Sequence, residues 1–319
     1  MLKNEILQKL LPVTEEEQKF VEGQKQIDRS IYMDSSLNIV NSKKLLRDGK
    51  QIAIRPHTRF VHFPEHSHDY VEIIYMCAGQ TTHLIDGEKI VLQEGELLFL
   101  CQSAKQEIYP ASYHDIAVNF VILPDFFDEA LQMLGEEDTP LKRFIVDCLK
   151  NKQTDISYLH FKVSDVLPVQ NLIENLIWSF MVETPNKRNI NQLTMGLLFL
   201  QLIHYTDRLY ANNVEEKTIV KALGYIEEQY QNGTLSALAE SLGCDVSALS
   251  REIKQKTGKK YTELVQEKRL SQACFLLKNT DITIDEIAGK IGYENISFFY
   301  RIFKKKYGIS PKKYRCREN

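Results

Sequence analysis

The sequence predicts an α+β protein in two parts: a small antiparallel β-barrel with flanking helices, then an all-α domain of two helix-turn-helix units joined by a long helix. Three observations predict this. Residues 52–122 fall into short runs rich in Val, Ile, Phe and Tyr, punctuated by turn residues. One helix-turn-helix pattern occurs twice near the C-terminus. Charge divides the same way: residues 215–319 carry 19 Lys and Arg against 14 Asp and Glu, a net of +5, and residues 1–214 carry the remaining 21 against 29, a net of −8.

That asymmetry points to one portion that meets nucleic acid and another with a different task. With 319 residues, 43% hydrophobic and 26% charged, the composition excludes a disordered or fibrous chain. The most apolar run, Leu193–Ile203, is interrupted by Gln201 and is too short to span a membrane. The N-terminus lacks the apolar core of a signal peptide. Six cysteines are scattered, no two closer than 24 positions. The expectation is a cytoplasmic protein with reduced thiols and no membrane segment.

In chain order, a helical segment is expected over 1–50 and the barrel over 51–125. A helical dimerisation and packing region follows over 126–210, then a polar linker at 211–217 and the paired helix-turn-helix domain over 218–317. The expected strands are IAIRPHTRFVHF, YVEIIYMCAG, THLIDGEKIVL, GELLFLC and IAVNFVIL, with a hairpin at Asp86-Gly87 and breaks at Gly79 and Gly95. VQNLIENLIWSFMVE (169–183) and INQLTMGLLFLQLIHYTDRLY (190–210) read as apolar helices. In the second, Leu193, Leu197, Leu200 and His204 form one stripe, and Leu198, Leu202 and Tyr205 another. A helix apolar on two sides is buried either wholly within its own domain or by the second copy of a homodimer, and the sequence leaves both open.

The repeat aligns LSALAESLGCDVSALSREIKQKTG (235–258) with TIDEIAGKIGYENISFFYRIFKKKYG (283–308), offset by 49 residues before the turn and 50 after it. Ala239 and Ala288 allow close helix crossing, and Gly243 and Gly292 stand where the first helix stops and positive φ is needed. Asp245 or Ser247, and Asn295 or Ser297, are available as caps. The second helix of each copy buries Leu249 and Ile253, or Phe299 and Phe303. Its other face offers Ser247, Ser250, Arg251 and Lys254, or Ser297, Tyr300, Arg301 and Lys304. That is the layout of a helix that enters the major groove of double-stranded DNA. Arg251 and Arg301 suit base edges, because Arg pairs with guanine in bidentate fashion. Lys254, Lys304 and Lys305 suit phosphates. Tyr293 and Phe298 read as packing residues. The helix over 261–280 spans roughly 28 Å, a spacer able to hold two reading helices about one duplex turn apart.

RLSQACFLLKNTDITIDEIAGKIGYENISFFYRIFKKKYGISPKKYR resembles the signature of the AraC/XylS family of transcription regulators. The matching elements are Arg269, Ala273, Ile287-Ala288, Gly292-Tyr293, Phe299 and Phe303, Lys304, and Gly308-Ile309-Ser310-Pro311. The resemblance implies base contacts at Ser247, Ser250, Ser297 and Tyr300. It also implies a homodimeric activator that works beside RNA polymerase and answers to a small-molecule effector.

His66-Ser-His68-(x3)-Glu72-(x6)-Gly79 resembles the first motif of the cupin barrel, the sensing fold common in that family. Residues 66, 68 and 72 share parity, so on one strand they face one side. Gly87-(x7)-Gly95 resembles the second motif. Phe60 stands where the first motif has its leading Gly, Gln93 where the second has Pro, and Leu98 where a fourth metal ligand belongs. The three residues suit effector binding, structural hydrogen bonding or a 2-His-1-carboxylate metal site; the incomplete ligand set favours effector binding, with no metal and no cofactor. No P-loop, GxSxG or HExxH motif and no GxGxxG after a strand is present. The leading expectation is therefore a regulator without catalytic residues. A metal-dependent enzyme with a DNA-binding tail, and an architectural DNA binder without effector, are the other readings.

Overall fold

The computed structural model describes residues 2–34, 38–46, 49–102, 104–126, 157–183, 185–205, 208–211 and 214–317. The chain forms two compact units, the first drawn from residues up to Val214, the second holding Glu215–Asn319.

The first unit opens with α1 (Leu2–Leu10), which buries Ile6 and Leu10. α2 (Glu15–Val21) starts in a capping box: Thr14 Oγ1 accepts from the Glu17 N–H, and the Glu17 carboxylate accepts from the Thr14 N–H. Glu17 has a second partner, the guanidinium of Arg59, at 2.8 and 2.9 Å. Both side chains are buried. Arg59 also donates to the carbonyls of Leu11, Pro12 and Tyr113, so this ion pair clamps the N-terminal segment to the loops beside the sheets. Short helices α3 (Arg29–Tyr32) and α4 (Ser42–Leu45) flank β1 (Ile39–Val40).

The strands that follow are β2 (Ile52–Pro56), β3 (Phe63–His68), β4 (Val71–Ala78), β5 (Gln80–Ile85), β6 (Glu88–Gln93), β7 (Leu97–Leu100), β8 (Gln106–Ile108), β9 (Ile116–Ile122), β10 (Tyr158–Phe161) and β11 (Leu209–Ala211). The expected barrel takes the form of two facing sheets, ordered β1-β3-β8-β5-β6 and β11-β10-β7-β4-β9-β2. Ile74 and Met76 of β4, Ile85 of β5, Leu92 of β6 and Leu100 of β7 share one core cluster between them. Asp86 and Gly87 join β5 to β6 with φ of 47° and 85°, the paired positive φ of a two-residue hairpin.

Behind the six-stranded sheet lie α5 (Leu167–Met181) and α6 (Lys187–His204). Tyr75 O–H donates to Gln170 Oε1 at 2.7 Å, and the Phe99 and Phe199 rings meet at 5.9 Å. α6 turns Met195, Leu198, Phe199 and Leu202 inward. Ile190, Leu193, Leu197 and Leu200 remain 46%, 44%, 47% and 37% exposed.

Three expectations need correction. The region 126–210 is not helical throughout: β10 pairs with β7, and β11, which begins at Leu209, pairs with β10. The linker 211–217 is occupied at both ends, by the close of β11 and by α7 (Val214–Gln229). The segment 1–50 holds a strand as well as helices, β1 pairing parallel with β3. The part of the helical expectation over 127–156 lies outside the described residues.

In the second unit α7 precedes α8 (Leu235–Leu242), α9 (Val246–Thr257), α10 (Tyr261–Asn279), α11 (Ile284–Lys290), α12 (Ile296–Tyr307) and α13 (Pro311–Arg317). α8 with α9, and α11 with α12, are the two helix-turn-helix units. Leu270, Ala273 and Leu277 of α10 pack with Ile287, Ala288, Phe299 and Phe303 in one cluster. Gly243 and Gly292 hold φ of 66° and 87° in the two turns. At Gly292 a Cβ would stand 2.4 Å from the Gln231 carbonyl oxygen, so the chain after α7 closes on the second turn only over glycine.

Candidate functional site

Each reading helix is capped by the residue just before it. Asp245 accepts from the Ala248 N–H and Asn295 from the Phe298 N–H, both at 2.9 Å. That leaves the hydroxyls of Ser247 and Ser297 off the caps, and both residues are exposed. α9 buries Leu249 and Ile253 and turns out Ser247, Arg251 and Lys254, with Ser250 half-buried. α12 buries Phe299, Ile302 and Phe303 and turns out Ser297, Arg301, Lys304 and Lys305, with Tyr300 half-buried against the Phe299 ring at 6.1 Å. All nine residues stand on α9 or α12 outside the fully buried positions, although Tyr300 packs its ring against the core of the second helix-turn-helix. Val246 and Ile296 open the two helices and are 39% and 38% exposed, a matched apolar pair that sequence reasoning missed. The clue was available, since both occupy the first helical position of an aligned repeat.

The second candidate site lies between the two sheets. His66, His68 and Glu72 do converge, but not along one strand. β3 ends at His68, the chain bends at 69–70, and Glu72 stands on β4 in the opposite sheet. His66 Nδ1 lies 2.8 Å from the Pro64 carbonyl, so that nitrogen carries the proton and donates. Asn119 Nδ2 donates to Glu72 Oε1, and Asn119 Oδ1 accepts from His57 Nδ1, both at 2.9 Å. This fixes His57 Nε2 as a lone-pair acceptor. Thr81 and Gln106 hold the two nitrogens of His83.

Burial sets the charges here. It holds His57 and His66 down to about 4, against the opposing hydrogen bonds of Asn119 and the Pro64 carbonyl. It also holds His68 and His83 well below the ordinary histidine range. Burial raises Glu72 to about 7, against the hydrogen bond from Asn119 and the charge of Arg55. His68 Nε2 and Glu72 Oε2, 3.6 Å apart, are thus pushed toward their neutral forms and are not an ion pair. His57 Nε2, His68 Nδ1 and Glu72 Oε2 are buried without a hydrogen-bond partner among the described residues. They line a cavity of about 30 Å³, room for about one water.

Arg55, Pro56 and Thr58 line both this cavity and a wider groove of about 520 Å³ beneath α2, beside Glu15, Glu16 and Lys44. Arg55 Nη2 donates to Tyr32 Oη at 2.8 Å and to Glu16 at 3.2 Å, a polar junction between the two spaces. Among the described residues, no three His, Cys, Asp or Glu side chains are grouped as a metal ion would need. Asn119 and Arg55 escaped sequence reasoning. Asn119 was the legible one, a lone amide inside the apolar run IAVNFVIL. Phe60, in the place of the motif glycine, stands at φ 69° and so adopts the conformation that glycine would take.

Residues 238–317 match the family described as "Helix-turn-helix domain", and residues 49–152 the family described as "AraC-like ligand binding domain". The transcriptional activator RhaS of Mannheimia succiniciproducens is 24% identical over 79% of this chain and 89% of its own length. The transcriptional activator RhaR of an Enterobacter species is 21% identical over 80% and 88%. The C-terminal domain of AraT, a response regulator from Geobacillus stearothermophilus, is 34% identical over 32% of this chain and 87% of that structure, with a TM-score of 0.31. A lysine-to-alanine variant of apo ToxT from Vibrio cholerae is 14% identical over 85% of this chain and 98% of that structure, with a TM-score of 0.38.

A helix-turn-helix domain joined to a ligand-binding domain, with activators as relatives, defines a DNA-binding transcription regulator rather than an enzyme. The chain belongs to the AraC family of transcription regulators.

Proposed function

We propose that this regulator is a cytoplasmic activator that reads one asymmetric DNA site with two helices of the same chain. The observation that carries this reading is the matched outer face of α9 and α12, polar and basic at aligned positions of the repeat. Arg251 and Arg301 pair with bases, assisted by Ser247, Ser250, Ser297 and Tyr300, while Val246 and Ile296 suit thymine methyl groups. Lys254, Lys304 and Lys305 hold phosphates. The DNA-bound protein acts by standing beside RNA polymerase. Selecting bound duplexes from a random-sequence library tests the reading. The expected product is one recurring site with two conserved blocks about a duplex turn, roughly 34 Å, apart. A single block, or retention without sequence preference, would contradict it.

The first unit binds the effector. A small polar molecule entering the groove beside Arg55 meets the unpartnered atoms of His57, His68 and Glu72 at its inner end, with His66 beside them. Binding there biases the arrangements in which α9 and α12 engage DNA together.

Two copies pair through α6. Ile190, Leu193, Leu197, Leu200 and His204 are spaced three, four, three and four apart, the seam of a two-stranded coiled coil, and the four apolar members are exposed. Leu197→Asp places a charge in that seam and should weaken the dimer by about a hundredfold or more in sedimentation measurements. An unchanged sedimentation profile would exclude α6 as the interface.

A further inference from the structure

α12 carries a large apolar ring on its outer face. Phe298 is 40% exposed, one turn ahead of Arg301, and the Arg301 guanidinium lies 5.2 Å over the Phe298 ring. The stack continues inward. Phe298 meets the buried ring of Tyr293 at 5.9 Å, and the Arg269 guanidinium lies 5.0 Å over Tyr293. Arg269 is itself held: its Nε and Nη2 donate to the carbonyls of Tyr230 and Gln231, each at 2.7 Å. Cation, ring, ring and cation thus run from the chain after α7 out to the reading face. The first repeat lacks this device. Its aligned positions are Cys244 for Tyr293 and Ala248 for Phe298, although Arg251 matches Arg301.

We propose that Phe298 is a positioning residue for DNA recognition: it holds the Arg301 guanidinium in place before DNA arrives, so the two helices discriminate unequally. The proposal rests on the reading that Arg301 contacts a base. A free arginine loses rotamer freedom when it is fixed in the plane of a base pair, and a side chain already stacked on a ring loses less. Guanidinium–ring attraction supplies the hold, and a ring fixed by Tyr293 supplies the direction. The block read by α12 is then the more stringent of the two.

The test uses the full chain and the site recovered from the random library, together with its single-base variants and a duplex of unrelated sequence. Arg301→Ala identifies the base position that Arg301 reads. Phe298→Ala should relax discrimination at that same position by about tenfold. It should leave affinity for the unrelated duplex, its salt dependence and the melting temperature unchanged. Phe298→Tyr keeps the ring face and should restore discrimination, whereas Phe298→Leu should not. In the double variant the loss should equal that of Arg301→Ala alone. Equal rescue by Leu, relaxation at a different position, or full discrimination in Phe298→Ala would overturn the positioning role. Full discrimination in Arg301→Ala would instead overturn the base-contact reading, and the proposal with it.

Discussion

Lowering the pH from 7.5 to 5.0 should lower the melting temperature of the first unit by roughly 10–20 °C and leave the second unit's transition in place. The cause is the histidine cluster between the sheets. His57 and His66 are held down to about 4 by burial, and His68 and His83 are held well below the ordinary range. A group whose folded pKa is depressed contributes stability above its ordinary value, about 6.5 for histidine, and loses it as the pH falls toward the folded value. Over this interval each of the four loses about 2 kcal/mol. Glu72 works in the opposite direction. Its pKa is raised to about 7, so its contribution is lost as the pH rises and regained as it falls. It offsets about 2–3 kcal/mol, leaving a net loss on the order of 5 kcal/mol. All eight histidines lie in residues 57–204 and none in 215–319, which is why the second unit should not respond. Calorimetry at the two pH values checks this, and a first-unit transition that stays within a few degrees (about 3 °C or less) would contradict the burial assigned to these imidazoles.

Glu17→Ala should cost the first unit about 3–5 kcal/mol, because it leaves the buried Arg59 charge without its carboxylate, hydrogen-bonded only to backbone carbonyls. Burial alone would raise the Glu17 carboxyl. The hydrogen bonds from Arg59 and from the backbone N–H groups of Thr14 and Arg59 outweigh it and hold the carboxyl below its ordinary range. Its contribution is therefore present above about pH 4.5 and is lost only at lower pH, outside the interval in which the histidines act. Glu17→Gln preserves the shape but not the charge, and should recover little. Urea unfolding distinguishes the outcomes. A loss below about 1 kcal/mol, the range of exposed ion pairs, would mean that the clamp is solvated.

The repeat was legible because its chemistry and its period coincide. Small residues at Ala239 and Ala288, glycines at the turns and apolar pairs four apart each had a physical reason, and α8, α9, α11 and α12 stand where those reasons put them. The Asp86-Gly87 hairpin was legible for the same cause, a turn type that needs those residues. β10 was not. YLHF is four residues long, shows no alternation and is buried on both faces, so it carries neither strand nor helix periodicity. Its place is set by pairing with β7, more than fifty residues away, and by the contact of His160 with Glu96 at 2.8 Å. Parity on one strand suggested the grouping of His66 and His68 with Glu72, but that strand ends at His68. What brings Glu72 opposite is the facing of two sheets, a tertiary fact that spacing does not encode. The exposed half of α6 was legible as a stripe at Leu193, Leu197 and Leu200, and the structure leaves that stripe uncovered in the single chain. Phe298 read as packing because an aromatic beside Phe299 has the helix-core pattern. Its exposure and the Arg301 stack emerge only with the helix in place.

One chain is proposed to read two blocks of DNA, one with α9 and one with α12. The most direct test is the random-library selection repeated with Arg251→Ala and with Arg301→Ala. Each variant should erase preference in a different block and keep the other, each loss amounting to about 1–3 kcal/mol of discrimination. Both variants erasing the same block, or both weakening all sequences alike, would contradict it.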